Sequence, residues 1–398
     1  MSRIVILGGG YAGVLTAQRL RGRLRGADHE ITLINARDTF VERTQLHQVM
    51  AGQKLRQYPL NPLVSGDHSH FIQATVTALD LNRQQVTIER QGATEQIGYD
   101  HLVYALGSQV DLESVPGVRE HAYTLSPEGA RSAVALAPQL TTLAAEQAAL
   151  VVIGGGLTGI ETVTELAERY PGLRLTLVTS GSLGESLSAV GAAYLRRVME
   201  RLGIRVIQGQ TVRQLERERL LLGNGEWVSF ARVIWAGGFT VPALAREAGL
   251  SVNARGQIRV DDSFRSLSHP AVFAAGDSAI LETIPLRMAC ATAMPMAAHT
   301  ADSIAALLRG EDPQPFRFGY TVRCISLGRR DALVQMVNAD DSPREQVITG
   351  QVGVWIKQLI LQGTVWILHW ERGLPGIYNW PRPANPSAQA TPQEHQTA

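Results

Sequence analysis

The 398-residue sequence has only two cysteines, Cys290 and Cys324. Two thiols cannot build a disulfide framework or a cysteine metal cluster. They form no CxxC pair, and so low a number fits a reducing compartment. Net charge is also missing: 37 basic and 36 acidic residues nearly cancel, which argues against a nucleic-acid partner. No segment offers the roughly 20 uninterrupted apolar residues of a membrane span. No charged leader with an apolar signal core opens the chain, because a strand begins by Ile4. These absences point to a cytoplasmic protein. At this length two or three domains with sizeable cores are expected.

What is present is organised around the first stretch. The apolar run Ile4 to Leu7 reads as a buried parallel strand. It breaks into Gly8-x-Gly10-x-x-Gly13 and then into an amphipathic pattern, Val14, Leu15, Ala17, Leu20. Strand, glycine turn and helix are the context a dinucleotide fingerprint requires. Gly8 allows the tight turn, Gly10 lets a pyrophosphate approach the backbone, and Gly13 lets the helix pack on the strand. The anion sits on the free N–H groups of the helix's first turn. Val151 to Ile153 followed by Gly154, Gly156 and Gly159 repeats the motif before a helical run from Ile160. Neither unit has the acidic residue that the fingerprint places at the end of its second strand. Asn35 stands there after Ile31–Ile34, and Thr179 stands there after Leu173–Val178. A neutral amide still bonds a ribose, but less strongly than a carboxylate. Arg37 reads either as a phosphate or adenine contact or as a solvated surface residue.

The rest of the chain reads more coarsely. Thr39 to Gly52 is a loop leading into a short helix, with Arg43, Thr44, Gln45 and His47 able to face a ligand. Residues 70–104 alternate as an antiparallel meander that returns to the sheet at His101–Gly107. Residues 108–126 read as a linker. Ser126-Pro127-Glu128 reads as the capped start of a helix running to about Gln147. Ile204–Ile207 and Arg232–Gly238 are later strands of the second unit. Ala271–Ala275 is a strand ending in Gly276-Asp277, with a helix from about Met288 to Arg309 after Pro285. Phe318 to Val337 reads as a hairpin turning at Gly328. Val352 to Trp370 is a helix with a wide apolar face. That helix fits a membrane-surface foot and a helix buried in its own domain, or against a second copy of the chain, about equally. Residues 381–398 read as a disordered tail.

Two fingerprints, Tyr104-Ala105-Leu106-Gly107, Trp235-Ala236-Gly237-Gly238 and Val272 to Asp277 occur in this order. The set resembles the two-dinucleotide-binding-domain flavoproteins of the pyridine nucleotide–disulfide oxidoreductase fold, over roughly residues 1–320. Without a redox cysteine pair, the chain is most similar to the type II NADH dehydrogenases, or NADH:quinone oxidoreductases. The resemblance implies an α/β fold with two Rossmann-like, glutathione-reductase-like domains and a small C-terminal α+β domain. It implies an FAD-binding domain in two parts, 1–113 and 251–315, an NAD(P)H-binding domain at 114–250 and a C-terminal domain at 316–380.

For FAD it implies Gly8, Gly10, Tyr11, Ala12 and Gly13, then Asn35, Ala36, Arg37, Arg43, Thr44 and Val76. Ala105, Leu106, Gly107, Gly276 and Ala289 join them, and Asp277 is assigned to a ribitol hydroxyl. The helix after Pro285 aims its N-terminus at the flavin pyrimidine edge. For NADH or NADPH it implies Gly154, Gly156, Leu157, Thr158, Gly159, Thr179, Gly237 and Gly238. Glu161 matches a family glutamate near the nicotinamide and is the one candidate catalytic residue, as a positioner. Thr179, Ser180 and Ser182 tolerate either coenzyme and no arginine follows to bind an extra phosphate, so NADH and NADPH are expected within roughly tenfold of each other. The implied activity passes electrons from NADH or NADPH through FAD to a quinone or another diffusible acceptor. The family's glutamine pair for quinone is not found in Arg287–Met296. Two alternatives remain open: a reductase of a protein carrier such as ferredoxin, and an apoptosis-inducing-factor-like redox flavoprotein with a signalling or structural role. The resemblance also admits a peripheral position on the inner face of the membrane and a homodimer.

Overall fold

The computed structural model describes residues 1–284 and 286–383. Its first sheet has five parallel strands in the order Ser69–Gln73, His29–Asn35, Ser2–Leu7, His101–Tyr104, Val272–Ala274. Ile4, Ile6, Ile31, Leu33, Leu102 and Phe273 are fully buried. Continuous apolar runs replace alternation because both faces of the sheet are covered. The first fingerprint helix, Tyr11–Arg23, packs on the helix Cys290–Leu308.

The second sheet repeats the plan with Tyr123–Thr124, Arg232–Trp235, Ala149–Ile153, Arg174–Val178 and Arg205–Ile207, again all parallel. In each sheet the strand order reverses beside the fingerprint strand. That reversal opens the crevice in which a doubly wound sheet binds its ligand. Each unit adds a three-stranded antiparallel meander, starting at Thr75 in one and Val212 in the other. The short pairing of Gln109–Val110 with Phe239–Thr240 ties together the two stretches that pass between the sheets. At the C-terminal end, Val322–Ser326, Ala332–Val337 and Pro343–Thr349 form an antiparallel sheet. The helix Gly350–Trp370 packs across it. This is the expected α/β fold with two Rossmann-like units and a small α+β unit.

Three local expectations need correction. No helix starts at Ser126. Its hydroxyl donates to the Glu128 carbonyl in a turn, and Gly129 takes φ +103°. The cap is Ser132, whose oxygen accepts from Ala135 N, and Pro138 then tightens the next turn to 3₁₀. Second, the run from Phe71 is not one meander strand. Ser69–Gln73 joins the parallel sheet, and the meander begins at Thr75. Third, the 108–126 stretch is more than linker, since Tyr123–Thr124 forms the edge of the second sheet. The expected tail lies outside the described residues from 384 onward.

The C-terminal helix is apolar on two opposite faces. Gly353, Leu361, Val365 and Leu368 are buried, along with Lys357. Val352, Trp355, Leu359, Trp366 and Trp370 are between 61 and 71% exposed. At about 100° per residue those five side chains share one stripe about 60° wide, opposite the buried face. The buried face accords with a helix packed in its own domain, and the opposite apolar face is exposed. No helix among the described residues is long and apolar enough to cross a membrane.

Candidate functional site

The two glycine turns are built alike. Gly8 takes φ +106° and Gly154 φ +125°, and a Cβ on either would collide with the carbonyl of Ala105 or Ala236 on the neighbouring strand. Gly13 and Gly159 press on the Gly8 and Gly154 carbonyls, bringing each helix onto its turn. Gly10 and Gly156 face open space: a Cβ there meets nothing within 4 Å. Both cap their helices without a side-chain bond, and neither first turn carries an acid. Each helix therefore presents unclaimed N–H groups and positive dipole charge to an open cradle, which fits a pyrophosphate.

The strand-end residues brace these turns. Asn35 Oδ1 accepts from Gly9 N at 2.8 Å, and its Nδ2 donates to the Arg37 carbonyl at 2.9 Å. Thr179 is buried against Gly155. Arg37 pairs with Glu128. An acid that the strand-end position does not reveal closes the second loop. Glu185 folds back so that its Oε2 accepts from Ser182 N at 3.2 Å and lies over Gly181. Spacing could not find it, because a tight turn and not the strand delivers the carboxylate.

Around the first cradle, Ser108 donates to Asp277 Oδ2 at 2.6 Å and Arg43 donates to the Ser108 carbonyl at 2.6 Å. Burial raises the Asp277 carboxyl above its ordinary value, while the Ser108 bond and the Arg43 charge pull it back. Gly107 N donates to Ser278 Oγ at 3.3 Å. Tyr11 and Thr44 share a hydroxyl contact at 3.3 Å, and Ala12 touches Gly276. Ala289 caps the helix Cys290–Leu308. Ala36 takes a bond from Gln73, whereas Val76 and Leu106 pack on the first core. Around the second cradle, Gly237 adjoins Gly154, Thr158 accepts from Thr162, and Gly238 accepts from Asp111 N at 3.3 Å. Leu157 opens the second fingerprint helix, Leu157–Arg169.

Between the units lies a buried charged group. Glu161 Oε1 accepts from Ser326 N at 3.0 Å and from the Lys357 ammonium, and its Oε2 stands 3.9 Å from His47 Nδ1. Burial works to raise the Glu161 carboxyl, but the Lys357 and His47 charges and the two bonds outweigh it and hold it below its usual range. Burial, followed by the Lys357 charge, pushes His47 down to about 4 against the pull of Glu161. His47 Nε2 is buried without a hydrogen-bond partner among the described residues. Of the 37 basic residues only two, Lys54 and Lys357, are lysines. Both cysteines are free thiols, and burial raises them, Cys324 to about 11.

A cavity of about 860 Å³ opens between the Glu42–Tyr58 segment and the C-terminal helix. Four glutamines, Gln45, Gln53, Gln358 and Gln362, line it with Tyr58, Trp366 and Trp370. Arg287–Met296 holds no glutamine, and the glutamines of this cavity come from other segments. In that stretch Met294 and Met296 are buried packing.

Two parallel sheets, each with an open pyrophosphate cradle at its reversal point, define a protein built to bring two dinucleotides together. The chain belongs to the pyridine nucleotide-disulphide oxidoreductase family, whose model matches residues 2–304. It is 28% identical over 390 residues to a type II NADH:quinone oxidoreductase of Staphylococcus epidermidis, covering 90% of this chain and 94% of that protein. It is 30% identical over 296 residues to the demethylphylloquinone reductase of Synechocystis, covering 70% and 72%. In fold it is similar to the sulfide:quinone oxidoreductase of Aquifex aeolicus, with a TM-score of 0.80 at 22% identity over 94% and 93% of the two chains. NDH2 from Plasmodium falciparum in complex with NADH gives 0.77 at 12% identity over 94% and 99%.

Proposed function

We propose that the chain is an FAD-dependent NADH:quinone oxidoreductase that meets its quinone at a membrane surface. The observation that carries this reading is the glutamine-lined cavity, whose Trp366 and Trp370 continue the exposed stripe of the C-terminal helix. The first cradle and Asp277 fit FAD, and the second cradle fits NADH. FAD, when bound, supplies two-electron chemistry, taking a hydride from NADH and returning electrons to quinone. The chain's own residues bind and orient. The helix N-termini at Gly10 and Gly156 would hold the pyrophosphates, Asp277 would accept a hydroxyl of FAD, and the helix that Ala289 caps would offer its positive end to the flavin. Lys357 and Ser326 keep Glu161 charged, and it would orient the nicotinamide when NADH binds. Amides of Gln358 and Gln362 offer donors to quinone carbonyls, whereas Gln45 Nε2 already donates to Glu42 Oε2.

We draw the FAD domain over 1–113 and 251–315, the nucleotide domain over 114–250 and the C-terminal domain over 316–380. Ala245 and Leu250 pack in the first core, which favours moving the second crossing back toward Thr240. The chain then works on the cytoplasmic face, peripherally bound. Purified FAD-loaded protein should oxidise NADH with a short-chain quinone at a rate little affected by salt. Turnover only with a protein carrier, falling steeply with salt, would instead support the carrier-reductase reading. Gln362→Leu should raise the KM for quinone and leave that for NADH unchanged.

A further inference from the structure

We infer that Arg323 and Gln335, on neighbouring strands of the C-terminal sheet, are positioning residues for the coenzyme: they hold the loop 179–188 in the shape that takes the adenosine half of NADH. This rests on the second cradle as the NADH site and deepens it by adding two residues from another unit. In a doubly wound unit the end of the second strand faces the adenosine ribose. Here that strand is Arg174–Val178. The loop after it runs from Thr179 past Glu185 to Ser188, which caps the helix Ala189–Arg201. Its first half is held by its own unit. Gln210 N donates to the Thr179 carbonyl, Gly209 N to the Gly181 carbonyl, and Leu183 N to Gln208 Oε1, each at 3.1 Å. Its second half is held from the C-terminal sheet.

Arg323 and Gln335 stand directly opposite each other across the strands Val322–Ser326 and Ala332–Val337, and both are buried. Opposite residues of an antiparallel pair share one face. Arg323 Nη1 donates to the Ser186 carbonyl, and its Nη2 donates to Asp341 Oδ2 at 2.8 Å. Gln335 Oε1 accepts from Ser188 N at 3.0 Å and from Ser188 Oγ at 2.9 Å. The amide is fixed in turn, because its Nε2 donates to the carbonyls of Met336 and Gln346 at 3.0 and 3.3 Å. The nucleotide unit makes room for this contact. Gly191 lies in the first turn of its helix, although glycine is a poor helix former. A Cβ there would stand 2.6 Å from Gln335 Oε1. Apolar side chains could fill such an interface at less cost than a buried guanidinium and amide, which need full pairing. The planar fork of Arg323 does what they cannot, holding a carbonyl of one unit and a carboxylate of another at once. Asp341 Oδ2 also lies 2.8 Å from Arg287 Nε, and the Arg287 carbonyl accepts from Thr292 in the helix Cys290–Leu308. One sheet thus braces both the coenzyme loop and the segment leading into the helix at the first cradle.

The test uses the FAD-loaded full chain and two ligands. ADP-ribose carries the adenosine half of NADH, and reduced nicotinamide mononucleotide lacks it. In Arg323→Met, Asp341 keeps Arg287 as a partner while the Ser186 carbonyl loses its donor. Calorimetric affinity for ADP-ribose should fall about tenfold, the size expected for a lost bond from a charged donor. The KM for NADH should rise by a similar factor with kcat unchanged, and the KM for the reduced mononucleotide should not move. Arg323→Lys should recover part of the loss, since an ammonium can serve one of the two partners but not the fork. Gly191→Ala displaces Gln335 from the other side and should weaken ADP-ribose about threefold. It carries the test alone if Arg323→Met sheds its FAD. Unchanged ADP-ribose affinity in both variants overturns the proposal. So does an equal loss with the mononucleotide, or loss of FAD from both variants, since either makes the contact a general structural one. A wild-type chain that binds no ADP-ribose overturns the NADH reading itself, a result distinct from all of these.

Discussion

At the scale of single residues, buried charge at Glu161 has consequences for stability and for turnover. His47 is held down to about 4 in the folded chain, from an ordinary value near 6.5. The unfolded chain therefore takes a proton first as pH falls. Stability linked to His47 is fully present above about pH 6.5 and is lost on acidification toward pH 4, up to about 3 kcal/mol. Glu161 has a depressed pKa, so its contribution is present above the ordinary carboxyl range and is lost only as pH falls through the lowered folded value. His47→Gln should flatten the fall in Tm between pH 6.5 and 4, and an unchanged slope would remove His47 as its source. Glu161→Gln leaves the Lys357 ammonium buried without a counter-charge, which commonly costs about 3–5 kcal/mol. NADH-dependent flavin bleaching should slow in that variant if FAD is retained.

Coenzyme choice also belongs to this scale. Strand-end spacing suggested weak discrimination, but Glu185 brings a carboxylate onto the loop after Thr179. That charge would repel the extra phosphate of NADPH, so NADH should be favoured by more than tenfold. Glu185→Gln should bring the ratio of kcat/KM values back toward tenfold, chiefly by improving NADPH. A wild-type ratio below ten would return the loop to the weaker reading. The glycine turns were legible because their motifs have fixed spacing. Glu185 and Lys357 were not, since a turn and a distant helix deliver them.

At the scale of elements, what could be read depended on burial. Strands covered on both faces, such as Ile4–Leu7, announce themselves as apolar runs. The Pro343–Thr349 edge strand does not, because its first four residues, a proline and three polar side chains, are exposed. Ser126 offered a plausible cap, yet Gly129 and Ser132 moved the helix start downstream. The C-terminal helix was legible as a helix, but period alone could not say that its apolar residues served two surfaces. Trp355→Gln together with Trp366→Gln should therefore leave Tm nearly unchanged, since surface substitutions usually stay within about 0.5 kcal/mol. The same pair should sharply reduce vesicle binding. Loss of FAD on this change would mean that the stripe contributes to the fold.

At the scale of the whole molecule, the order of motifs predicted two sheets, while the meeting of distant segments did not follow from it. His47, Glu161, Ser326 and Lys357 come from four separate stretches, and only the assembled chain gathers them. The C-terminal unit is therefore part of the site and not an appended foot. Cutting after Asp341 removes the Pro343–Thr349 strand, the Lys357 partner of Glu161 and the inner wall formed by Leu361, Val365 and Leu368. It also exposes the Ala332–Val337 strand, whose apolar residues are buried or nearly so, as an unpaired edge. The truncated chain should aggregate or lose FAD, whereas the stripe substitutions should not. Flavin absorbance after size-exclusion chromatography separates the two cases. A monodisperse yellow truncation product would show that the two nucleotide-binding units stand without the third, and that the buried charged group is dispensable for holding them together.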